Sequence, residues 1–120
     1  KPLEVYGDET FRSSLVYVAD VVDGLIKLMQ APKDIGPVNI GSDVDVQIFE
    51  VAKQILQMTG TAASIEYKPP LLFLTQLGLP DLTKAKERLG WVPLTTRENG
   101  LKETISYTMA NRHVLSFRGF

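Results

Sequence analysis

Residues Pro80 to Trp91 read Pro-Asp-Leu-Thr-Lys-Ala-Lys-Glu-Arg-Leu-Gly-Trp, and their pattern is that of a short, sharply bounded helix. Asp81 can accept from the first free backbone N–H groups and so serves as N-cap. Leu82, Ala85 and Leu89 define one apolar side, and Gly90 offers the left-handed residue on which helices often end. Lys84, Lys86 and Arg88 fan around the cylinder and are interrupted by Glu87, which reads as a solvated face rather than an anion site. Trp91 is expected to pack back on the preceding turn.

On the C-terminal side, the spacing of Leu101, Ile105 and Met109 predicts a helix from Thr96 to Ala110, with Thr95 and Glu98 as a capping box. Residues 111–120 show no period and read as an irregular tail. Arg112, His113 and Arg118 form a modest basic cluster there, with no carboxylate in sequence to orient the histidine as a general base.

On the N-terminal side, the apolar run Leu71–Leu79 is expected to meet protein, since a patch of that size is sticky when exposed. Ser64–Lys68 alternates like a strand and ends at Pro69-Pro70. Gln47–Met58 reads as a helix with Ile48, Val51, Ala52, Ile55 and Leu56 as its stripe and Thr59-Gly60 as its stop. Val38-Asn39-Ile40 reads as a brief strand. Another helix is expected after Asp20 as N-cap, carrying Val21, Val22, Leu25, Ile26, Leu28 and Met29. Before it, strands Leu3–Tyr6 and Leu15–Val18 are expected, joined by the polar loop 7–14 as a long hairpin.

The predicted order is strand, strand, helix, strand, helix, strand, helix, helix. That is one mixed α/β domain over residues 1–120, thin in strands for its helices, which suits a lobe completed by a sheet outside it. The chain opens in mid-strand without an initiator methionine, so a fragment is expected.

Composition excludes several classes. With no cysteine there are no disulfides, thiolate metal sites or cysteine nucleophile, and a cytoplasmic location is the expectation. A single histidine leaves little material for a histidine-rich metal site or a serine–histidine triad. Thirteen basic against 14 acidic residues give no global field favouring nucleic acid or an anionic membrane. No apolar run approaches the ~20 residues of a membrane span.

Few residues remain as candidates for chemistry. Arg12, beside Ser13 and Ser14 in a glycine-containing loop, can offer guanidinium and hydroxyl donors to a phosphate, or it is an exposed loop arginine. Tyr17 and Asp20 read as core packing and helix cap rather than catalyst and base. No glycine-rich phosphate loop follows a strand, and no tyrosine has a lysine four positions on.

Several segments taken in order resemble the C-terminal half of extended short-chain dehydrogenases/reductases, the NAD-dependent epimerase/dehydratase family. They are Val5-Tyr6-Gly7-Asp8, Arg12-Ser13-Ser14, Tyr17-Val18-Ala19-Asp20 with its helix, and Gly36-Pro37-Val38-Asn39-Ile40-Gly41. The block Pro80–Lys86 leading to Leu89-Gly90-Trp91-Val92-Pro93 is the most specific, and Gly100-Leu101 with Thr104-Ile105 follows it. The pattern is closest to the decarboxylase and 4,6-dehydratase branches that act on nucleotide sugars.

The resemblance implies a small mixed α/β substrate-binding lobe of a Rossmann-type enzyme whose N-terminal dinucleotide-binding domain is absent here. That domain would bind NAD and supply the catalytic tyrosine–lysine pair. The partners implied are a nucleotide-sugar substrate and the N-terminal Rossmann domain of the same protein, in a homodimeric parent. Arg12, Ser13 and Tyr17 are the implied substrate-binding residues, and no residue of this chain is implied to be catalytic, cofactor-binding or metal-ligating. Relatives carry the diphosphate-gripping arginine four residues before the tyrosine, where this chain has Ser13. Arg12 therefore falls on the opposite face of a regular strand. Relatives also carry arginine before the Pro80-Asp81 position, where this chain has Leu71–Leu79. The alternative is a non-catalytic sensor or interaction relative of the same fold that has lost the diphosphate clamp.

Overall fold

The computed structural model describes residues 1–72 and 78–117. Two short sheets organise it. Strand β1 (Leu3–Tyr6) pairs in parallel with β4 (Ile65–Lys68), setting Leu3 opposite Ile65 and Tyr6 opposite Lys68. Strand β2 (Arg12–Ser13) pairs antiparallel with β3 (Val46–Gln47), with Arg12 opposite Gln47 and Ser13 opposite Val46. The helices are α1 (Val18–Met29), α2 (Ile48–Thr59), α3 (Thr83–Leu89), α4 (Arg97–Ala110) and α5 (Arg112–Phe117).

Strands β1 and β4 and the helices α2, α3 and α4 fall close to where residue patterning puts them. Gly60 and Gly90 end α2 and α3 in the left-handed region, at φ 62° and 58°, because glycine carries no Cβ to clash there.

Other expectations fail for identifiable reasons. The hairpin between Leu3–Tyr6 and Leu15–Val18 does not form, because β1 takes a distant parallel partner and Val18 already opens α1. Asp20 is not the N-cap. Tyr17 holds that place, and the Asp20 carboxylate accepts from the Thr95 amide and hydroxyl, each at 2.9 Å. Thr95 is thereby drawn away from the expected capping box, and Thr96 caps α4 by accepting from the Asn99 amide at 3.2 Å.

Val38–Ile40 is irregular rather than a strand. Pro37 has no N–H for a ladder, and the Ile40 side chain is spent against α1. The tail expected to be irregular carries α5. The apolar run Leu71–Leu79 lies largely on 73–77, outside the described residues, while Leu72 and Leu79 at its flanks are exposed.

Among the described residues the buried apolar core is Val5, Val46, Val51, Ala52, Ala85 and Trp91, the last 1% exposed. Trp91 lies against α1 at Gly24, where an added Cβ would stand 2.9 Å from Ile40 Cδ1 and 3.1 Å from Trp91 Nε1. Glycine is required there by close approach and not by backbone dihedral.

Helix α1 turns its apolar face outward. Gly24 and Asp20 face the core, whereas Val18, Val22, Leu25, Ile26 and Met29, the last 84% exposed, form a stripe on the solvent side. At 100° per residue that stripe is centred roughly 140° around the helix from Gly24. An amphipathic helix normally buries its apolar stripe; among the described residues this one stays exposed. The size of the molecule agrees. Its accessible surface is 9109 Å², against about 6,500 Å² for a closed globule of this mass. Its radius of gyration is 16.8 Å, against about 14 Å for a compact domain of this length.

Candidate functional site

The parallel pairing of β1 and β4 brings their carboxyl ends together, the edge of an α/β sheet where ligands are received. A recess opens there, lined by Tyr6, Gly7, Phe11, Tyr67, Lys68 and Pro69, with a volume of 570 Å³. That is in the range of small-molecule sites.

The loop after β1 is held open by its own chemistry. Gly7 turns the chain at φ 110° and lies against Phe11, whose Cβ would be 3.2 Å from a Cβ on Gly7. The Gly7 amide donates to the Lys68 carbonyl at 2.9 Å, which extends the parallel ladder into the loop. Asp8 accepts from both the amide and the hydroxyl of Thr10. These bonds, led by the hydroxyl, hold the Asp8 carboxyl below its ordinary value of 3.8. Phe11 closes the loop, donating to the Asp8 carbonyl and accepting from the Ile48 amide at the start of α2.

The opposite wall is aromatic and basic. Tyr67 stands 5.9 Å from the Phe49 ring, centroid to centroid, and the Lys53 ammonium lies 4.2 Å over that same ring, a cation–π arrangement. Desolvation, then Glu9 and Asp8, raise the Tyr67 hydroxyl above 10.0, so it stays protonated and able to donate at neutral pH. Lys68 donates to Glu66 at 2.8 Å and lies 4.0 Å from Glu4. The Glu66 hydrogen bond above all raises the lysine further and keeps it cationic. The recess thus combines aromatic faces with the Asp8 carboxylate and a lysine already paired with Glu66 and Glu4, so what it offers a ligand is chiefly stacking surface.

The three residues expected at the site are not gathered in one place. Arg12 follows Phe11 but lies on β2 with its side chain half exposed, and its Nε donates to Asp45 Oδ2 at 2.6 Å. Ser13, its strand neighbour, points to the other face, opposite buried Val46. Tyr17 caps α1 and packs its ring on Gly100 of α4, lining a separate apolar groove with Leu15, Val16, Thr96 and Leu101. Among the described residues no hydrogen bond or ion pair joins Arg12 to Tyr17.

Residue patterning passed over Tyr6, Phe11, Tyr67 and Lys68. The signal was a tyrosine at or next to the end of each of two strand-like runs, and the parallel register sets Tyr6 opposite Lys68 and Tyr67 opposite Val5. Strand β1 runs through Gly7 into β2, β4 into Pro69-Pro70, and β3 directly into α2. Among the described residues no group of three or more His, Cys, Asp or Glu could hold a metal ion. None of the described helices is long and apolar enough to cross a membrane.

No protein-family model matches the chain. It is similar to UDP-glucuronic acid decarboxylase 2 of Arabidopsis thaliana, 38% identical over 101 residues that make up 84% of this chain and 22% of that protein. Its fold superposes on UDP-glucose 4-epimerase of Thermotoga maritima, solved with UDP-glucose. The TM-score is 0.84 at 32% identity, covering 92% of this chain and 36% of the epimerase. It also superposes on dTDP-glucose 4,6-dehydratase of Bacillus anthracis, solved with NAD. There the TM-score is 0.82 at 26% identity, covering 94% of this chain and 36% of the dehydratase. The chain spans 22% to 25% of the length of the first curated relatives it matches.

Proposed function

From a chain whose homologues are nucleotide-sugar decarboxylases, epimerases and dehydratases of the NAD-dependent epimerase/dehydratase family, with the fold of a portion of those enzymes, we propose that it is the nucleotide-sugar-binding lobe of such an enzyme. The observation that carries this reading is the recess at the joined carboxyl ends of β1 and β4. Its aromatic walls offer faces on which the base of UDP or dTDP can stack. Arg12, one residue beyond Phe11, contributes to the diphosphate contact, while Ser13 and Tyr17, which face elsewhere, do not share it.

The lobe binds and orients, and it does not carry the redox step. With no glycine-rich turn and no tyrosine followed four positions later by lysine in the sequence, NAD and the reacting groups belong to a Rossmann domain of the parent. The outward stripe of α1 is the surface on which that domain docks. Its burial would remove from water the excess surface that the lobe cannot cover itself.

The test is calorimetry of the full protein with UDP and with dTDP, before and after Arg12→Ala. A charge-assisted hydrogen bond to phosphate predicts a loss of about tenfold or more in affinity. Unchanged affinity removes Arg12 from the site, and no binding of either nucleotide by the unmodified protein overturns the reading as a whole.

A further inference from the structure

We infer that Asp45 is the positioning residue for the Arg12 guanidinium, holding it by one edge so that the other edge is free for a phosphate; this rests on the nucleotide-binding reading above. The strand geometry brings the two together. Arg12 is directly opposite Gln47, and Asp45, immediately before β3 and two residues before Gln47, is one diagonal step away on the same side, within reach of a long side chain. Neighbouring Ser13 and Val46 point to the other face, toward the core, so the pair stands apart from the packing.

The form of the contact matters more than its presence. Asp45 Oδ2 accepts from Arg12 Nε at 2.6 Å, and among the described residues the two Nη groups donate to nothing. A carboxylate on both Nη groups would occupy the fork that recognises phosphate. Held through Nε, the plane is fixed while at least one Nη edge keeps its donors. The side chains are 48% and 42% exposed, and an ion pair so wet adds little to folding. Its contribution is to orientation, because an unheld arginine must give up rotamer freedom when it meets an anion.

The arrangement also answers the one-residue displacement of the arginine relative to the pattern it resembles. An arginine turned to the outer face of β2 has no core neighbours to fix it, and Asp45 supplies that constraint from the adjoining strand.

Four variants of the full protein, titrated calorimetrically with UDP and with uridine, test this. Asp45→Ala is expected to weaken UDP by about three- to tenfold, the range of one side chain's ordering entropy, and to leave uridine unchanged. Asp45→Asn keeps an acceptor for Nε and is expected to stay within about twofold of the parent for UDP. Arg12→Ala together with Asp45→Ala should bind UDP no worse than Arg12→Ala alone. If Asp45→Ala binds UDP as tightly as the parent, or more tightly, the carboxylate is a bystander or a competitor and the inference is overturned. Equal losses for UDP and uridine would reduce Asp45 to a structural part and overturn it too. If Arg12→Ala alone has no effect, the nucleotide reading of Arg12 fails, which is a separate result from a silent Asp45→Ala beside a damaging Arg12→Ala.

Discussion

The indole Nε1 of Trp91 donates to the backbone carbonyl of Asp20 at 2.8 Å, across 71 positions of sequence. This bond joins the first turn of α1 to the segment after α3, and the ring around it is 1% exposed. Trp91→Phe keeps much of the apolar volume but leaves a void and a carbonyl without its donor. We expect a loss of about 2–3 kcal/mol in urea unfolding, against about 3–5 for Trp91→Ala.

The side chain of Asp20 completes the same junction by accepting twice from Thr95. Asp20→Ala should destabilise by about 1–3 kcal/mol, because it leaves part-buried donors unsatisfied. Combined with Thr95→Ala, the loss should be smaller than the two single losses added. Strict additivity in a double-mutant cycle would show that the two residues do not act together.

Gly24→Ala sets helix propensity against packing. In an exposed helix the change would stabilise by roughly 1 kcal/mol. Here the new methyl meets Ile40 at 2.9 Å and Trp91 at 3.1 Å, and overpacking of that kind costs about 1–3 kcal/mol. The net change measured by chemical denaturation should be destabilising, and a gain would show that Ile40 moves aside freely.

Asp81 gives a pH dependence with a definite sign. Its carboxylate is held below 3.8 by bonds from Thr83, the side chain first and then the amide, the amide at 2.9 Å. A depressed folded value means that the stabilisation is present above 3.8 and is lost as pH falls through the lower, folded value. The start of α3 should therefore loosen only below about pH 4, followed by NMR at the Thr83 amide. Asp81→Ala should remove that step.

The outward face of α1 predicts a difference between the lobe and its surroundings. On the proposal that a further domain of the full protein covers this stripe, Leu25→Glu should lower the thermal midpoint there, since it would put a charge into an apolar seam. An unchanged midpoint would mean that the stripe stays in water there as well.

What the residue pattern could and could not disclose follows from how local each cause is. Gly60, Gly90 and the spacing along Val51, Ala52 and Ile55 act within one or two turns, so α2 and α3 were legible. Asp20 was misread because its acceptor serves Thr95, far along the chain, and a preference for caps says nothing about such a competitor. Leu15–Val18 has the composition of a strand but lacks a neighbour to pair with. The aromatic wall of the recess needs the parallel register of β1 and β4, which no local pattern encodes. Arg12 was singled out by its chemistry, but its Asp45 partner depends on the β2–β3 register.

The same register has a consequence for biosynthesis. Leu3 finds its partner only at Ile65, so during translation β1 emerges with its amides and carbonyls unclaimed while α1 and α2 are still being made. A short, charged strand is a poor template for intruders, and Glu4 facing outward between Leu3 and Val5 discourages stray pairing in that interval. Replacing that glutamate with valine would leave the finished ladder intact while exposing the nascent chain to aggregation before β4 arrives.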